Sequence, residues 1–250
     1  MEIVVCVKAV CASPVKFTLS AARDRVDPGN RTLTLNEVDE YALDAALVLK
    51  KQLGGSVTAL TVGPLAAQDV LYTSRAKGAD RGIRVDADVA DPVATSDVLA
   101  RAIGGLKYDL VLTGVESSDN MAGATGIYTA ERLGLPFAYA VTAIEATANP
   151  SVIRVTKELG GGVSQVLDIT LPALLCVQSG IQPLTYAAVA KLMRLRREPL
   201  TSVSLDSLGL TREALVESAP ARLVDVFPPQ KLRQAEILQG DPRDIAAAVL

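Results

Sequence analysis

Short apolar runs alternate with stretches of helical spacing through the first half of this chain. Ile3–Val7 is continuously apolar, as expected of a strand covered on both faces. Asn36-Glu-Val-Asp39 follows a polar, irregular stretch containing the turn-like Asp27-Pro-Gly-Asn30. Val38, Ala42, Ala45 and Leu49 then recur at helical spacing, which predicts an amphipathic helix over 37–53 ending at Gly54-Gly55. Ser56–Val62 reads as a second buried strand closed by Gly63-Pro64. A helix over 65–77, a short strand Gly82–Val85, a helix over 91–104 and a strand over 109–113 come next. This alternation predicts an α/β fold, a doubly wound, mostly parallel sheet with the ends of strands at Val7, Val62 and Thr113 on one carboxyl edge.

After Pro136 the pattern changes. Ala138–Ala146, Val152–Glu158 and Val163–Thr170 are strand-like and separated by Asn149-Pro150 and Gly160-Gly-Gly162, which predicts an antiparallel extension. Ala173–Gln178 is another apolar strand, and Tyr186–Arg197 follows the break at Gln182-Pro183. The domain plan is a nucleotide-binding α/β domain over 1–199 and an arm over 200–250 with a helix from Arg243. Leu208, Leu210, Val224, Val226 and Phe227 in that arm need covering, as by a partner subunit.

The stretch Val111–Pro136 carries the candidate chemistry. It reads as a buried strand, then a loop of small and polar residues, then a helix beginning at Thr125-Gly126. Backbone N–H groups at such a helix start, reinforced by the helix dipole, suit an anion such as phosphate. An ordinary strand-to-helix loop fits the same residues. No GxGxxG follows the first strand, which argues against a standard dinucleotide site.

Composition narrows the classes. The chain has 250 residues, net charge −3 and 21% charged residues, which excludes nucleic-acid binding by overall charge. It has no His, so His-based acid–base catalysis and His metal ligation are excluded. Cys6, Cys11 and Cys176 match no zinc or CxxC spacing, and no run is long enough to span a membrane. The opening strand leaves no room for a signal peptide, so a reduced, cytoplasmic setting is expected.

The start Ile-Val-Val-Cys-Val-Lys8, Asn36-Glu-Val-Asp-Glu40 with Ala45-Ala46, Val62-Gly-Pro64, Lys77-Gly-Ala-Asp-Arg81, the stretch Asp109–Ala130 and the basic-ended Tyr186–Arg197 occur in the order of one family. Over roughly residues 1–200 the chain resembles the beta subunit of electron-transfer flavoproteins. The resemblance implies an adenine-nucleotide-binding, Rossmann-like fold and a heterodimer with an alpha subunit that holds a redox FAD. It implies electrons received from flavin-dependent dehydrogenases and passed to a membrane quinone reductase, with AMP as a structural nucleotide in this subunit. Bifurcating members hold a second FAD there instead. A stand-alone adenine-nucleotide sensor is the reading from another class, and an enzyme is disfavoured by the absence of a catalytic His or a dense Ser/Lys/Asp cluster.

The family's nucleotide contacts map onto Cys6, onto Asn36, Glu37, Val38 and Asp39, onto Val62, and onto Asp119, Asn120, Met121, Ala122, Gly123, Ala124, Thr125, Gly126 and Thr129. Asn120, Met121 and Ala124 replace acids and a Gln common in that loop. Backbone N–H groups and Thr125 are then left to hold phosphate. Val10-Cys-Ala-Ser13 replaces an acidic residue and a Thr or Tyr, which removes an expected flavin-facing contact. The resemblance also implies a dehydrogenase-docking segment formed by Tyr186, Val189, Lys191, Met193, Arg194, Arg196 and Arg197, with Val189 at the apolar anchor position. Each element has a plainer counterpart. Cys6 reads as a small core residue, Asn36 and Asp39 as a helix cap, and the basic cluster as a solvated face.

Overall fold

The computed structural model describes residues 1–12, 18–20, 26–27, 32–89, 91–221, 224–227 and 237–249. Residues 28–30 of the expected turn, and Ser13, lie outside them. In chain order the first elements are β1 (Glu2–Cys6), β2 (Ala9–Cys11), β3 (Thr18–Leu19), β4 (Val26–Asp27), β5 (Leu33–Leu35), α1 (Glu37–Leu53) and β6 (Ser56–Val62). Then come α2 (Gln68–Lys77), β7 (Arg81–Asp86), α3 (Pro92–Gly104), β8 (Leu110–Gly114) and α4 (Thr125–Leu133). The antiparallel region supplies β9 (Phe137–Ala146), β10 (Val152–Gly160) and β11 (Val163–Thr170), followed by β12 (Ala173–Val177) and α5 (Val189–Leu195). The chain ends in β13 (Thr201–Ser204), α6 (Arg212–Glu217) and α7 (Pro242–Val249).

Nine strands form one sheet in the order β11-β10-β9-β12-β8-β1-β6-β7-β13. All neighbours from β9 to β13 are parallel, while β10 and β11 run antiparallel, as the sequence pattern predicts. From β1 the chain winds outward through β6 and β7, then returns to place β8 on the other side of β1. That reversal is the switch point at which open α/β sheets form a crevice.

Strand β1 shows why its run is continuously apolar. Ile3 and Val5 pack in a cluster with Ala42, Leu43 and Leu49 of α1, and Val4 and Cys6 pack in another with Val98, Leu99 and Ile103 of α3. Both faces of the strand are therefore covered by helices. Fully buried side chains such as Leu43 and Leu49 each contribute on the order of 2 kcal/mol from removal of apolar surface from water. Among the described residues no helix is long and apolar enough to cross a membrane.

The chain divides into two compact units, residues 1–15 with 30–222, and residues 16–29 with 223–250. The larger contains the sheet. The described part of the smaller contains the antiparallel β3–β4 pair and α7. The arm expected from residue 200 is thus divided. Its first strand, β13, hydrogen-bonds in parallel to β7, because Thr201–Ser204 offers an extended backbone to an otherwise open sheet edge.

Candidate functional site

The carboxyl ends of β1, β6 and β8 open onto a cleft at the switch point. It is open to solvent, with a cavity volume of about 100 Å³. One wall is the end of β1 with Cys6, Val7 and Lys8. The floor is Thr113 and Gly114 of β8. The far wall is apolar, built by Val62, Val89 and Leu99 with Thr95. The loop after β8 and the first residues of α4, Gly123, Ala124, Thr125 and Gly126, close it.

The loop can approach this closely because of two glycines. Gly123 has a φ of +61°, where a side chain is strained. A Cβ on Gly126 would lie 2.5 Å from Cys176 Sγ and 2.6 Å from Thr113 Oγ1, so only glycine lets the start of α4 rest on β8 and β12. The Ala124 side chain cannot cap α4, and its first-turn N–H groups are not masked by a capping side chain. The Thr113 hydroxyl is buried in the floor beside the Cys176 thiol.

Asn36 and Asp39 do not form the expected helix cap. The Asn36 side chain makes no capping bond. Its Nδ2 donates to the Glu116 carbonyl at 2.8 Å and its Oδ1 accepts the Ser118 N–H at 3.2 Å. Asp39 accepts the backbone N–H of Lys8 at 2.9 Å and of Gly114 at 2.9 Å. Distant backbone donors outcompete the local ones because both side chains are buried between β1 and β8. Burial dominates the Asp39 environment and pushes its carboxyl up to about 6, against the lowering by its backbone donors.

Lys8 crosses the mouth of the cleft, donating to Asp119 at 2.7 Å and to Ser117 at 3.1 Å. Burial alone would raise the Asp119 carboxyl, but the Lys8 ammonium and the Ser117 hydroxyl hold it below its usual value. Cys6 is buried, and that burial, with Asp39 beside it, pushes its thiol well above the ordinary range. Burial likewise pushes Cys176 up to about 11. Both thiols are packing groups, not nucleophiles.

Of the residues expected at a nucleotide site, Cys6, Asp39, Val62, Asn120, Gly123, Ala124, Thr125 and Gly126 line the cleft. Asn36 and Asp119 are outside the lining: Asn36 is buried and bonds the loop after β8, and Asp119 is exposed and bonds Lys8 and Ser117. Glu37, Met121 and Ala122 are exposed outside the lining, and Val38 packs into the core. Thr129 is buried and its hydroxyl donates to the Thr125 carbonyl at 2.7 Å, so it is satisfied inside α4. Lys8, Glu116 and Ser117 were not among the expected site residues, and Thr113 was named only as a strand end on the carboxyl edge. Lys8 and Thr113 carried a usable signal, since each is a polar residue at the carboxyl end of a buried strand.

The segment from Tyr186 to Arg197 is helical only from Val189 to Leu195. Before the helix, Thr185 is bonded to Asp44 on α1, and residues 183–188 have no regular secondary structure. Leu195 is buried against Tyr72 and Ala76 of α2. Tyr186, Val189 and Met193 are 96%, 73% and 53% exposed. Arg194, Arg196 and Arg197 are exposed beside them and Lys191 is partly so. Arg196 reaches Asp69 at 3.4 Å.

The family model described as electron transfer flavoprotein domain matches residues 29–208. The chain is 30% identical over 256 residues to the electron transfer flavoprotein subunit beta of Methylophilus methylotrophus, covering 100% of this chain and 97% of that one. It is 30% identical to the protein of the same name from Bacillus subtilis, covering 85% and 82% of the two chains. To that of Sus scrofa it is 28% identical, with 98% of each covered.

Proposed function

The chain belongs to the electron transfer flavoprotein beta-subunit family, and from that premise we propose that it pairs with an alpha subunit to form a soluble, cytoplasmic electron carrier. In this reading the alpha subunit holds most of the redox FAD. The heterodimer accepts electrons from flavin-dependent dehydrogenases and delivers them to a membrane quinone reductase, and the chain is a carrier subunit, not a stand-alone enzyme. The switch-point cleft holds AMP as a structural nucleotide.

The observation that carries the nucleotide reading is the pairing, in one cleft, of the uncapped α4 start with an apolar wall. Val62, Val89 and Leu99 suit the face of a base. The N–H groups beside Thr125 and Gly126 suit a phosphate, for which the helix dipole adds attraction. The exposed apolar residues of the smaller unit, among them Val224, Phe227, Ile237 and Val249, support an arm that packs on the alpha subunit.

The purified chain should be nearly colourless and release AMP on denaturation, read by mass analysis of the extract. Stoichiometric FAD in the isolated subunit would replace this reading with a bifurcating-type subunit holding a second flavin. AMP in a chain that recruits no flavin-bearing subunit would favour the stand-alone sensor. Thr125→Val keeps shape and deletes a hydroxyl, so AMP affinity should fall by about 1.5–3 kcal/mol, the worth of a hydrogen bond to a charged group. Since the nucleotide binds only the folded chain, the melting temperature in AMP should fall too. Calorimetry showing unchanged affinity would remove Thr125 from the site.

Docking is assigned to the segment around Tyr186, Val189 and Met193. Its apolar side chains supply affinity and its cations steer an acidic partner surface. Val189→Ala should slow reduction by the dehydrogenase without changing nucleotide content. Arg196→Glu with Arg197→Glu should slow it most at low salt, because exposed charges are screened as ionic strength rises. Stopped-flow second-order rates test both, and unchanged rates would leave the segment a plain solvated face.

A further inference from the structure

The docking segment is tied down just before it begins. Asp44, on α1, is 3% exposed, yet both its oxygens are engaged. Oδ1 accepts the Thr185 hydroxyl at 2.8 Å, and Oδ2 accepts the Thr185 backbone N–H at 2.8 Å and Lys77 Nζ at 3.0 Å. Lys77 has a side-chain exposure of 0% and also donates to Glu40 at 2.5 Å. One buried cation thus faces two carboxylates, and the two donors of Thr185 complete the shell of the more buried one. Thr185 itself is exposed. Packing alone does not call for a buried ion network to hold an exposed threonine, because burying charge is costly unless every group is paired.

At its other end the segment is held by Arg75, which meets Glu198 at 2.7 Å, and by the Tyr72 hydroxyl, which donates to the Glu198 carbonyl at 3.3 Å. Tyr186 and the two alanines after it precede the helix and lie between these anchors. We propose that Asp44 is a positioning residue for partner docking: its carboxylate, fixed by Lys77, pins Thr185 and so sets where Tyr186 and Val189 project toward an apolar, acid-rimmed partner pocket. This rests on the reading of the segment as the docking site. An anchored segment reaches the partner already ordered, which removes an entropy cost from association.

The test uses the assembled heterodimer and a flavin dehydrogenase shown to reduce the wild-type protein. Asp44→Asn removes the charge, Thr185→Val removes only the hydroxyl, and Thr185→Ser keeps it. In Asp44→Asn, amide exchange over residues 186–190 should accelerate. The second-order reduction rate should fall about five- to tenfold, the effect of about one lost hydrogen bond, with the rate at saturating partner and the nucleotide content unchanged. Thr185→Val should move both readouts the same way by less, and Thr185→Ser should match wild type. If Asp44→Asn does not fold, the contrast between Thr185→Val and Thr185→Ser decides. Unchanged exchange, or faster exchange with an unchanged rate, overturns the proposal while Val189→Ala still slows reduction. If Val189→Ala and the double arginine variant also leave the rate unchanged, the docking reading falls and takes this proposal with it.

Discussion

Gly114→Ala is expected to destabilise the chain by about 3 kcal/mol or more, a large effect for one methyl group. The added Cβ would lie 2.5 Å from Asp39 Oδ1, 2.9 Å from the Asp39 nitrogen and 2.9 Å from the Val38 carbonyl carbon. Two of these atoms are backbone in the first turn of α1 and cannot rotate away. Relief requires α1 to move off β8, which breaks the bond from the Gly114 N–H to Asp39. That leaves a buried carboxylate short of a donor, a penalty added to the steric one. Because Gly114 also lines the cleft, nucleotide retention should fall with stability. Urea denaturation measures the loss, and a change below about 1 kcal/mol would mean that the start of α1 yields more freely than close packing allows.

The second large effect is expected from Lys77→Met. Methionine matches the length of the stem, so the methylenes stay packed and only the ammonium is lost. Asp44 remains 3% exposed with one fewer donor, while Glu40 is partly exposed and can turn toward water. Removing one partner of a buried ion pair costs about 3–5 kcal/mol, and the freedom of Glu40 places this variant near the lower end. Chemical denaturation should show it as a shifted midpoint with an unchanged slope. A variant as stable as the wild type would show that Thr185 alone satisfies the buried carboxylate.

The central elements were legible because each is written locally. Glu37–Leu53 and Ser56–Val62 fall where the periodicity and the flanking glycines put them. The roles of Asn36 and Asp39 were not, because a polar pair at a helix start looks like a cap whichever donors it finally meets. Here those donors come from Lys8, Gly114 and Ser118, far away in the chain. The cleft was legible at its α4 end, where a strand, a small-residue loop and a helix follow in sequence. Its apolar wall was not, since Leu99 looks like any inward position on an amphipathic helix. The anchoring of the segment before α5 was not legible for the same reason as the cap. The bonds that hold Thr185 come from Asp44, on helix α1. Strand β13 went unrecognised because Thr-Ser-Val-Ser is short and polar, and the open edge of β7 supplies what its sequence lacks.

Helix α1 meets the cleft through Asp39 and the segment before α5 through Asp44. The two attachments share one rigid rod, and each added residue advances such a rod by about 1.5 Å and turns it by about 100°. Inserting or deleting a single residue between them would swing one carboxylate out of its nest while the other stayed seated. The four-residue interval from Glu40 to Leu43 is therefore a ruler, and both carboxylates stay seated only while its length is kept.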